Sequence, residues 1–413
     1  MVQVRYKNVK IFLLYIVAFF IIYESGTPSS IMSINDAFVD KLLFFFSVGM
    51  VAVLALLRKN NIKALVLWGI VFILFVILNS FVCLSTTPKL IYRLSIFLLI
   101  YLTLAYADIS KIDFDEMICL VIVFFAVTSL IIYVLTHILS VSIPHNYFHL
   151  GENGIRYISY GGLYYEQGYS NWQFGFNMHR MTGPFWEPGV YQIFLNYALY
   201  RYIFKDKVNK CIIIILLLDL LLTMSAAGWL CTIGIIVLRI SNSKRLTRRS
   251  KILLSVILFF VGALAATFVI SSKFSETYAN KSSAFIRGND FFLAVELFIE
   301  NPILGTGFNN TKPFELKNMY NSTAYLGSSN GFMTIAYTTG IIGLAFVFLP
   351  FIRCLKKSQK FDKYKSTFYI CMILFFNFVE PVYYFPFMLY LLAKEYYLMI
   401  SGVHVIRAKS RHL

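Results

Sequence analysis

Long apolar stretches alternate with short polar connections along most of the chain, and each stretch has roughly the length of a membrane-crossing helix. A helix that crosses a bilayer needs about 20 mostly apolar residues. The stretches lie at 11–23, 37–57, 63–84, 90–107, 117–141, 187–204, 252–271, 332–352, 366–380 and 384–402. This pattern predicts an all-α polytopic integral membrane protein.

Residues 211–240 form a further apolar block, too long for one comfortable span and too short for two full ones. Basic residues flank it on both sides, at 205–210 and 244–251. Because cytoplasmic segments accumulate Lys and Arg, both ends are expected on the same side. We therefore predict a short helical hairpin that turns at 223–228, where protein or water must satisfy the backbone. With the hairpin, the chain has about 12 transmembrane helices.

Composition and charge support this topology. Of 413 residues, 59% are apolar and 14% are charged, which excludes a single soluble domain and intrinsic disorder. The net charge is +17. With both termini cytoplasmic and the opening stretch as the first span, cytoplasmic segments carry 26 Lys and Arg against 6 acids, and external segments carry 10 against 12. Topology thus explains the excess, and no nucleic-acid partner is needed.

Two external loops, at 142–186 and 272–331, are much longer than the other connections of what we predict to be a single membrane domain over 1–413. Long loops in compact proteins are usually functional. In the second loop, Asn289-Asp290 is predicted to cap a helix whose apolar face carries Phe291, Val295 and Phe298. Such a helix, ended by Pro302, is expected to lie along the membrane surface.

Several motifs lie in and beside these loops. The segment Arg180-x-x-Gly183-x-x-x-Glu187-Pro188-Gly189 resembles the loop-end motif of O-antigen polymerases and ligases, and the run from Arg287 to Phe308 is similar to their second loop. The segment 329–344 resembles the exit into the next helix, and 225–228 the turn of the hairpin. The chain has Ser329 where the ligases have histidine, which favours a polymerase.

The resemblance implies transfer of a glycan chain from undecaprenyl diphosphate to another lipid-linked repeat, at the periplasmic face of the bacterial inner (cytoplasmic) membrane. It implies no cofactor and a metal-independent reaction. The expected partners are undecaprenyl-diphosphate-linked glycans and membrane lipids, with a chain-length regulator protein as a further candidate. An O-antigen ligase that acts on lipid A-core and a lipid-linked oligosaccharide flippase stay open as alternatives.

The residue types are compatible with that chemistry. Cleavage of a glycosyl diphosphate needs cations at the leaving group, and an arginine fork suits phosphate oxygens. The candidate catalytic residues are Arg180, Glu187 and Arg287, and the candidate substrate-binding residues are Arg156, His179, Asn330, Tyr165 and Trp172. Glu187, His179 or Glu166 is the expected base or orienting acceptor for the attacking hydroxyl.

Structural roles compete with several of these assignments. Arg180 has the alternative of pairing with Glu187 or anchoring to headgroups, Arg287 of binding lipid, and Asn330 of capping the following helix. His145 and His149 have the spacing of a metal pair but lack a third ligand, so no metal site is predicted.

Two further features of the sequence point to function. The external aromatic residues offer a platform for stacking on sugars, made of Tyr160, Tyr164, Tyr165, Tyr169 and Trp172. Asp219 lies inside the hairpin and is expected to face a hydrated cavity or a basic neighbour.

Overall fold

A computed structural model of the chain describes residues 2–28, 38–56, 62–150, 155–167, 171–173, 176–205, 207–243, 246–258, 260, 283–318, 328–358 and 363–401. These residues are mostly helical, as predicted. The helices are α1 (Val2–Tyr23), α2 (Phe38–Leu56), α3 (Ile62–Val82), α4 (Thr87–Ile109), α5 (Phe114–Tyr133), α6 (Pro188–Ile203), α7 (Lys210–Leu222), α8 (Ala226–Ser241), α9 (248–258), α10 (Ser283–Glu300), α11 (Lys312–Lys317), α12 (Gly331–Ser358), α13 (Lys363–Val379) and α14 (Pro386–Ser401).

Fewer helices meet the length and composition of a full span than the twelve that the sequence predicts. Among the described residues, the long apolar helical segments are Ala64–Val82, Leu84–Ile109, Phe114–Ile138 and Gly331–Lys356. Shorter apolar helices are Asn8–Tyr23, Lys41–Ala55, Ala226–Ser241 and Tyr364–Val379. Most of the predicted stretch at 252–271 lies outside the described residues. The apolar helices are those of a membrane protein, and the count of twelve stays a prediction.

The chain groups into two compact units. Unit 1 comprises Met1–Val17, Leu43–Phe114 and Arg287–Leu413, and unit 2 comprises Ala18–Leu42 and Asp115–Ile286. The first large loop and the hairpin belong to unit 2, and the described part of the second large loop belongs to unit 1 from Arg287 onwards. The prediction of a single membrane domain stays a prediction.

The predicted hairpin is confirmed as α7 and α8. The side chain of Asn209 caps α7 by accepting from the backbone N–H groups of Cys211 and Ile212. Ser225 caps α8 by accepting from the Gly228 N–H at 3.3 Å. The intervening turn, with Met224 at a positive φ of 48°, falls within the predicted 223–228. Because both caps satisfy helix ends locally, two short helices are stable where one long helix is interrupted.

The described residues of the first large loop form five short strands that the sequence analysis did not predict. Strands β1 (Asn146–Leu150), β2 (Ile155–Tyr160) and β3 (Tyr164–Gln167) form an antiparallel sheet, and β4 (Asn171–Gln173) pairs with β5 (Phe176–Met178). Gly161 and Gly162, at φ values of 63° and 73°, make the turn between β2 and β3. Aromatic and β-branched residues favour strands here because their side chains pack on the sheet.

In unit 1, the second-loop motif fits directly against a break in α12. Gly340 has a φ of 61° and a ψ of −161°, which interrupts the helix. The backbone N–H of Thr306 donates to the Tyr337 carbonyl at 2.8 Å, and that of Ile341 donates to the Pro302 carbonyl at 2.8 Å. Gly305-Thr306-Gly307 therefore forms a turn against the helix. The Tyr337 carbonyl that it binds is one that the break in α12 leaves without its usual helical donor, Ile341.

Candidate functional site

Arg180 is fixed by the hairpin turn. Its Nε donates to the Thr223 carbonyl at 3.0 Å, and its Nη2 donates to the Met224 carbonyl at 3.3 Å. The N–H of Met181 also donates to the Leu222 carbonyl at 3.0 Å. These carbonyls follow the last turn of α7, where a helix leaves acceptors unsatisfied and favours positive charge. Two donor atoms of Arg180 are thus bonded, which fixes the guanidinium in one orientation. The side chain is half-buried.

The glycine of the same motif, Gly183, allows the Tyr191 ring to pack closely against the backbone. Gly183 has a φ of 61°, and a Cβ added there would lie 2.7 Å from the Tyr191 ring. Tyr191 in turn donates a hydrogen bond of 2.6 Å to Asp219, and both side chains are buried. Asp219, inside the hairpin, is therefore hydrogen-bonded to a tyrosine hydroxyl. The sequence predicted a basic neighbour or a hydrated cavity at this position.

Glu187 stands at the start of α6. Its backbone is extended, its carbonyl accepts from the N–H groups of Val190 and Tyr191, and Pro188 occupies the first turn. Proline is favoured at this position because its missing N–H would have no partner in the helix. The side chain of Glu187 is partly exposed. Its place at a helix start is thus confirmed, and its role as a base stays a prediction.

His179, directly before Arg180, belongs to a cluster that sequence reasoning did not assemble. Its Nδ1 lies 2.5 Å from Oε1 of Glu166, and Nε2 of His137 lies 3.3 Å from Oε2 of the same carboxylate. The two imidazole rings are stacked, with centroids 4.4 Å apart. The hydroxyl of Tyr133 donates to the His179 carbonyl at 3.0 Å. The three cluster residues are far apart in sequence, so no local spacing links them.

Tyrosines surround the Glu166 carboxylate. Burial and the negative charge of Glu166 raise the pKa of Tyr160 to about 12. The same two causes, in the same order, raise the pKa of the fully buried Tyr164 well above its usual range. These hydroxyls therefore stay protonated at neutral pH and can act as hydrogen-bond donors beside the carboxylate.

The aromatic platform is only partly available for stacking on a sugar. Tyr164 and Tyr165 are buried, whereas Tyr160 is half-buried. Trp172 lies on β4, and Tyr169 lies outside the described residues. Arg156 lies on β2, opposite His149 in the register with β1. Burial packs Tyr165 inside the loop, and the sugar-binding roles of Tyr165 and Trp172 stay predictions.

Arg180, Glu187, His179 and Glu166 all lie in unit 2, where His179 contacts Glu166 and Arg180 contacts the hairpin turn. A second group, in unit 1, is built around Arg287. Its Nη2 lies 3.1 Å from Oε1 of Glu380, and its Nη1 donates to the Val379 carbonyl. The Arg287 side chain is 42% exposed and that of Glu380 is 5% exposed. The guanidinium is therefore anchored to a buried carboxylate, while the Arg287 side chain is partly exposed.

The predicted cap at Asn289-Asp290 is wrong, because α10 begins at Ser283. Asp290 instead lies inside the helix, buried, and its Oδ2 accepts from the Ser329 N–H at 3.0 Å. Burial raises the pKa of Asp290. The carboxylate thus holds the exit of the second loop against α10, a role that requires the tertiary fold.

Asn330 has the capping role that was weighed for it. Its Oδ1 accepts from the Met333 N–H at 3.0 Å at the start of α12, and its side chain is buried. A contribution to substrate binding stays a prediction. Arg287, Glu380, Asp290 and Asn330 form what we call the second-loop site.

Arg93 is a basic residue that sequence reasoning did not single out. Its guanidinium lies 4.9 Å from the ring centroids of both Tyr92 and Tyr384. Tyr384 follows Glu380 in the connection between α13 and α14, so Arg93 and Arg287 contact the same short connection in unit 1. The available signal was an arginine inside an apolar stretch, which is costly in lipid unless it is functional or paired.

Two comparisons bear on identity. Residues 211–348 match a family model described as O-antigen ligase. This segment contains the hairpin from α7 onwards, α10, the Pro302–Phe308 motif and the broken part of α12. No curated protein matches the chain. The resemblance to the O-antigen polymerase and ligase superfamily, predicted from the motifs, is therefore confirmed by a family match over residues 211–348.

Proposed function

We propose that the protein polymerises undecaprenyl-diphosphate-linked oligosaccharide repeat units into O-antigen or a related surface polysaccharide. The reaction takes place at the periplasmic face of the inner membrane, with both chain termini in the cytoplasm. The observation that carries the proposal is the bonding of Arg180 to Thr223 and Met224, because this hairpin turn lies inside the family-matched segment. The motif arginine and the family segment thus form one piece of structure.

In the proposed reaction, a hydroxyl of the acceptor sugar attacks the anomeric carbon of the donor glycan. The bond between that carbon and the diphosphate oxygen breaks, and undecaprenyl diphosphate leaves with the electron pair. The acceptor hydroxyl loses its proton to Glu187, which is partly exposed at the start of α6. Arg180 stabilises the negative charge that develops on the diphosphate, and Arg287 is the proposed catalytic arginine of the second loop; the reaction uses no metal ion.

The anchoring of both arginines supports this assignment. A guanidinium has five N–H donors in a rigid plane. The bonds of Arg180 to two carbonyls, and of Arg287 to Glu380 and a carbonyl, fix the plane before a substrate arrives. Pre-positioned donors stabilise a developing charge without reorganising.

An O-antigen ligase is the nearest alternative. It would use the same donor but transfer the finished glycan to lipid A-core. Ser329 stands where the ligases have histidine, and its backbone N–H donates to Asp290. This difference favours the polymerase. A flippase is the more distant alternative, and the two long motif-bearing loops count against it.

Purified protein in detergent, given undecaprenyl-diphosphate-linked repeat units, provides the test. We expect products of two or more repeats with release of undecaprenyl diphosphate, because detergent offers no second compartment into which a flippase could move its substrate. A ligase would leave these units unchanged and consume them only when lipid A-core is added. Absence of longer glycans in reactions with folded, monodisperse protein would refute the polymerase proposal.

A further inference from the structure

Ligand atoms of three residues from distant parts of unit 2 converge at the first large loop. The residues are His137, Glu166 and His179, and one ligand atom of each lies within 4.8 Å of the others. We propose that these residues form a divalent-metal site of the zinc class that fastens the loop. The site is separate from the diphosphate chemistry and does not depend on the proposed function.

The donor set is one that zinc prefers. Two imidazoles and one carboxylate are a known three-ligand set for Zn²⁺, with a fourth position left for water. At bond lengths of about 2.0–2.1 Å, tetrahedral donors lie roughly 3.3 Å apart. The separation of Nε2 of His137 from Oε2 of Glu166 is 3.3 Å. The shorter contact of His179, at 2.5 Å, lengthens when a cation enters between the two groups.

The electrostatics of the cluster favour a cation. Glu166 is 5% exposed, and its ion pairs among the described residues are with the two imidazoles. A buried carboxylate is costly unless a positive charge accompanies it. In addition, Nε2 of His137 is buried, and its 3.3 Å approach to Oε2 of Glu166 does not have the geometry of a hydrogen bond. A divalent cation would satisfy both the carboxylate and this nitrogen.

Binding requires a small change in the rings. The imidazole planes of His137 and His179 are stacked at 17°, and both lone pairs must point at one ion. The side chain of His179 is 32% exposed and that of His137 is 17% exposed. His179 therefore has room to tilt towards the carboxylate, while His137 is held in the π-helical turn Val134–Ile138 that follows α5.

The three ligands connect two segments of the loop to the helical turn that precedes it. His137 lies in the π-helical turn Val134–Ile138 after α5, Glu166 lies on β3, and His179 directly precedes Arg180. A metal bond to His179 would thus limit the motion of the neighbouring Arg180. The site positions the loop, while the arginines contact the substrate.

Zinc titration of the full-length protein in detergent, after treatment with a chelator, is the direct test. We expect one equivalent to bind, with affinity at least tenfold lower in His137→Gln and in Glu166→Gln. His145→Gln is the matched control, because His145 contacts the Ile143 carbonyl and the Tyr147 hydroxyl instead. Equal affinity of all four proteins, or no saturable binding by the wild type, would overturn the proposal.

If the variants fail to fold, a measurement on the wild type alone still tests the site. The X-ray absorption spectrum of the zinc-loaded protein should show nitrogen and oxygen neighbours near 2.0–2.1 Å and the scattering pattern of two imidazoles. The chain also has free cysteines. A shell of sulfur neighbours near 2.3 Å would place the metal on these cysteines and refute the site.

Discussion

Arg180 donates a hydrogen bond of 3.0 Å from its Nε to the Thr223 carbonyl, so the motif of the first loop is bonded to the turn of the hairpin. The side chain therefore has two tasks that mutation would remove together. It closes the carbonyl end of α7, and in the proposed reaction it holds the diphosphate.

We expect Arg180→Ala to destabilise the protein by about 1–3 kcal/mol, the usual cost of losing a charged hydrogen bond, and to abolish long glycan chains. Arg180→Lys should recover much of the stability but little of the chain length, because one ammonium cannot reproduce a planar fork. Thermal unfolding in detergent and polysaccharide ladders on a gel would measure the two effects. Arg248→Ala, at an exposed arginine of α9, should change neither. Normal ladders from Arg180→Ala at equal protein level would rule out the catalytic assignment.

Arg287 and Glu380 permit a double-mutant cycle. Arg287→Ala removes the partner of a carboxylate that is 5% exposed, so we expect it to cost about 1–3 kcal/mol. Adding Glu380→Gln should restore part of this stability, because a neutral amide is less costly to bury. It should not restore chain length if Arg287 holds the diphosphate. Recovery of long chains in the double variant would make Arg287 a purely structural residue.

Gly183→Ala should lower the unfolding temperature more than Gly161→Ala. Both glycines have a positive φ, 61° and 63°, so both variants carry backbone strain of about 1–3 kcal/mol. A Cβ at Gly183 would also overlap the Tyr191 ring, whereas at Gly161 it meets no atom within 4 Å. The difference between the two variants measures the overlap. Equal unfolding temperatures would contradict the packing of Tyr191 against the motif.

Alanine at two helical glycines should change the free energy of unfolding in opposite directions. One glycine lies at the break in α12 and the other in α10. At Gly340, a Cβ would lie 2.2 Å from the Ile303 carbonyl oxygen, and φ is 61°. Gly340→Ala should therefore be strongly destabilising. Gly288 lies in α10 with open space around its Cβ position, so Gly288→Ala should stabilise by up to about 1 kcal/mol through helix propensity. Calorimetry of both variants checks the pair, and a neutral Gly340→Ala would exclude the close backbone approach.

Much of the helical fold could be predicted because apolar length is a local signal. The stretch at 63–84 corresponds to α3 (Ile62–Val82), and the block at 211–240 divides at the turn that its basic flanks and small residues indicate. The start of α10 was placed too late. Asp290 has the residue type of a cap, but its carboxylate is used by Ser329 across the fold. Residue type alone does not distinguish these two uses.

The site was predictable only where a motif concentrates it in one segment. Arg180, Gly183 and Glu187 lie within eight positions, and their local roles follow from the turn and the helix start. The cluster of His137, Glu166 and His179 forms only when α5, β3 and the motif meet. The strands that bring Glu166 there were missed because tyrosines and glycines in a loop also fit an irregular structure.

The lengths of α7 and α8 have a consequence for the bilayer around them. At 1.5 Å per residue, the 13 residues of α7 extend about 20 Å and the 16 residues of α8 about 24 Å. The hydrocarbon layer is about 30 Å thick. With the basic flanks at the inner surface, the turn that binds Arg180 would stand several ångströms below the outer headgroups. We expect the lipid leaflet to thin there, so that the diphosphate of the carrier is drawn inward to the arginine.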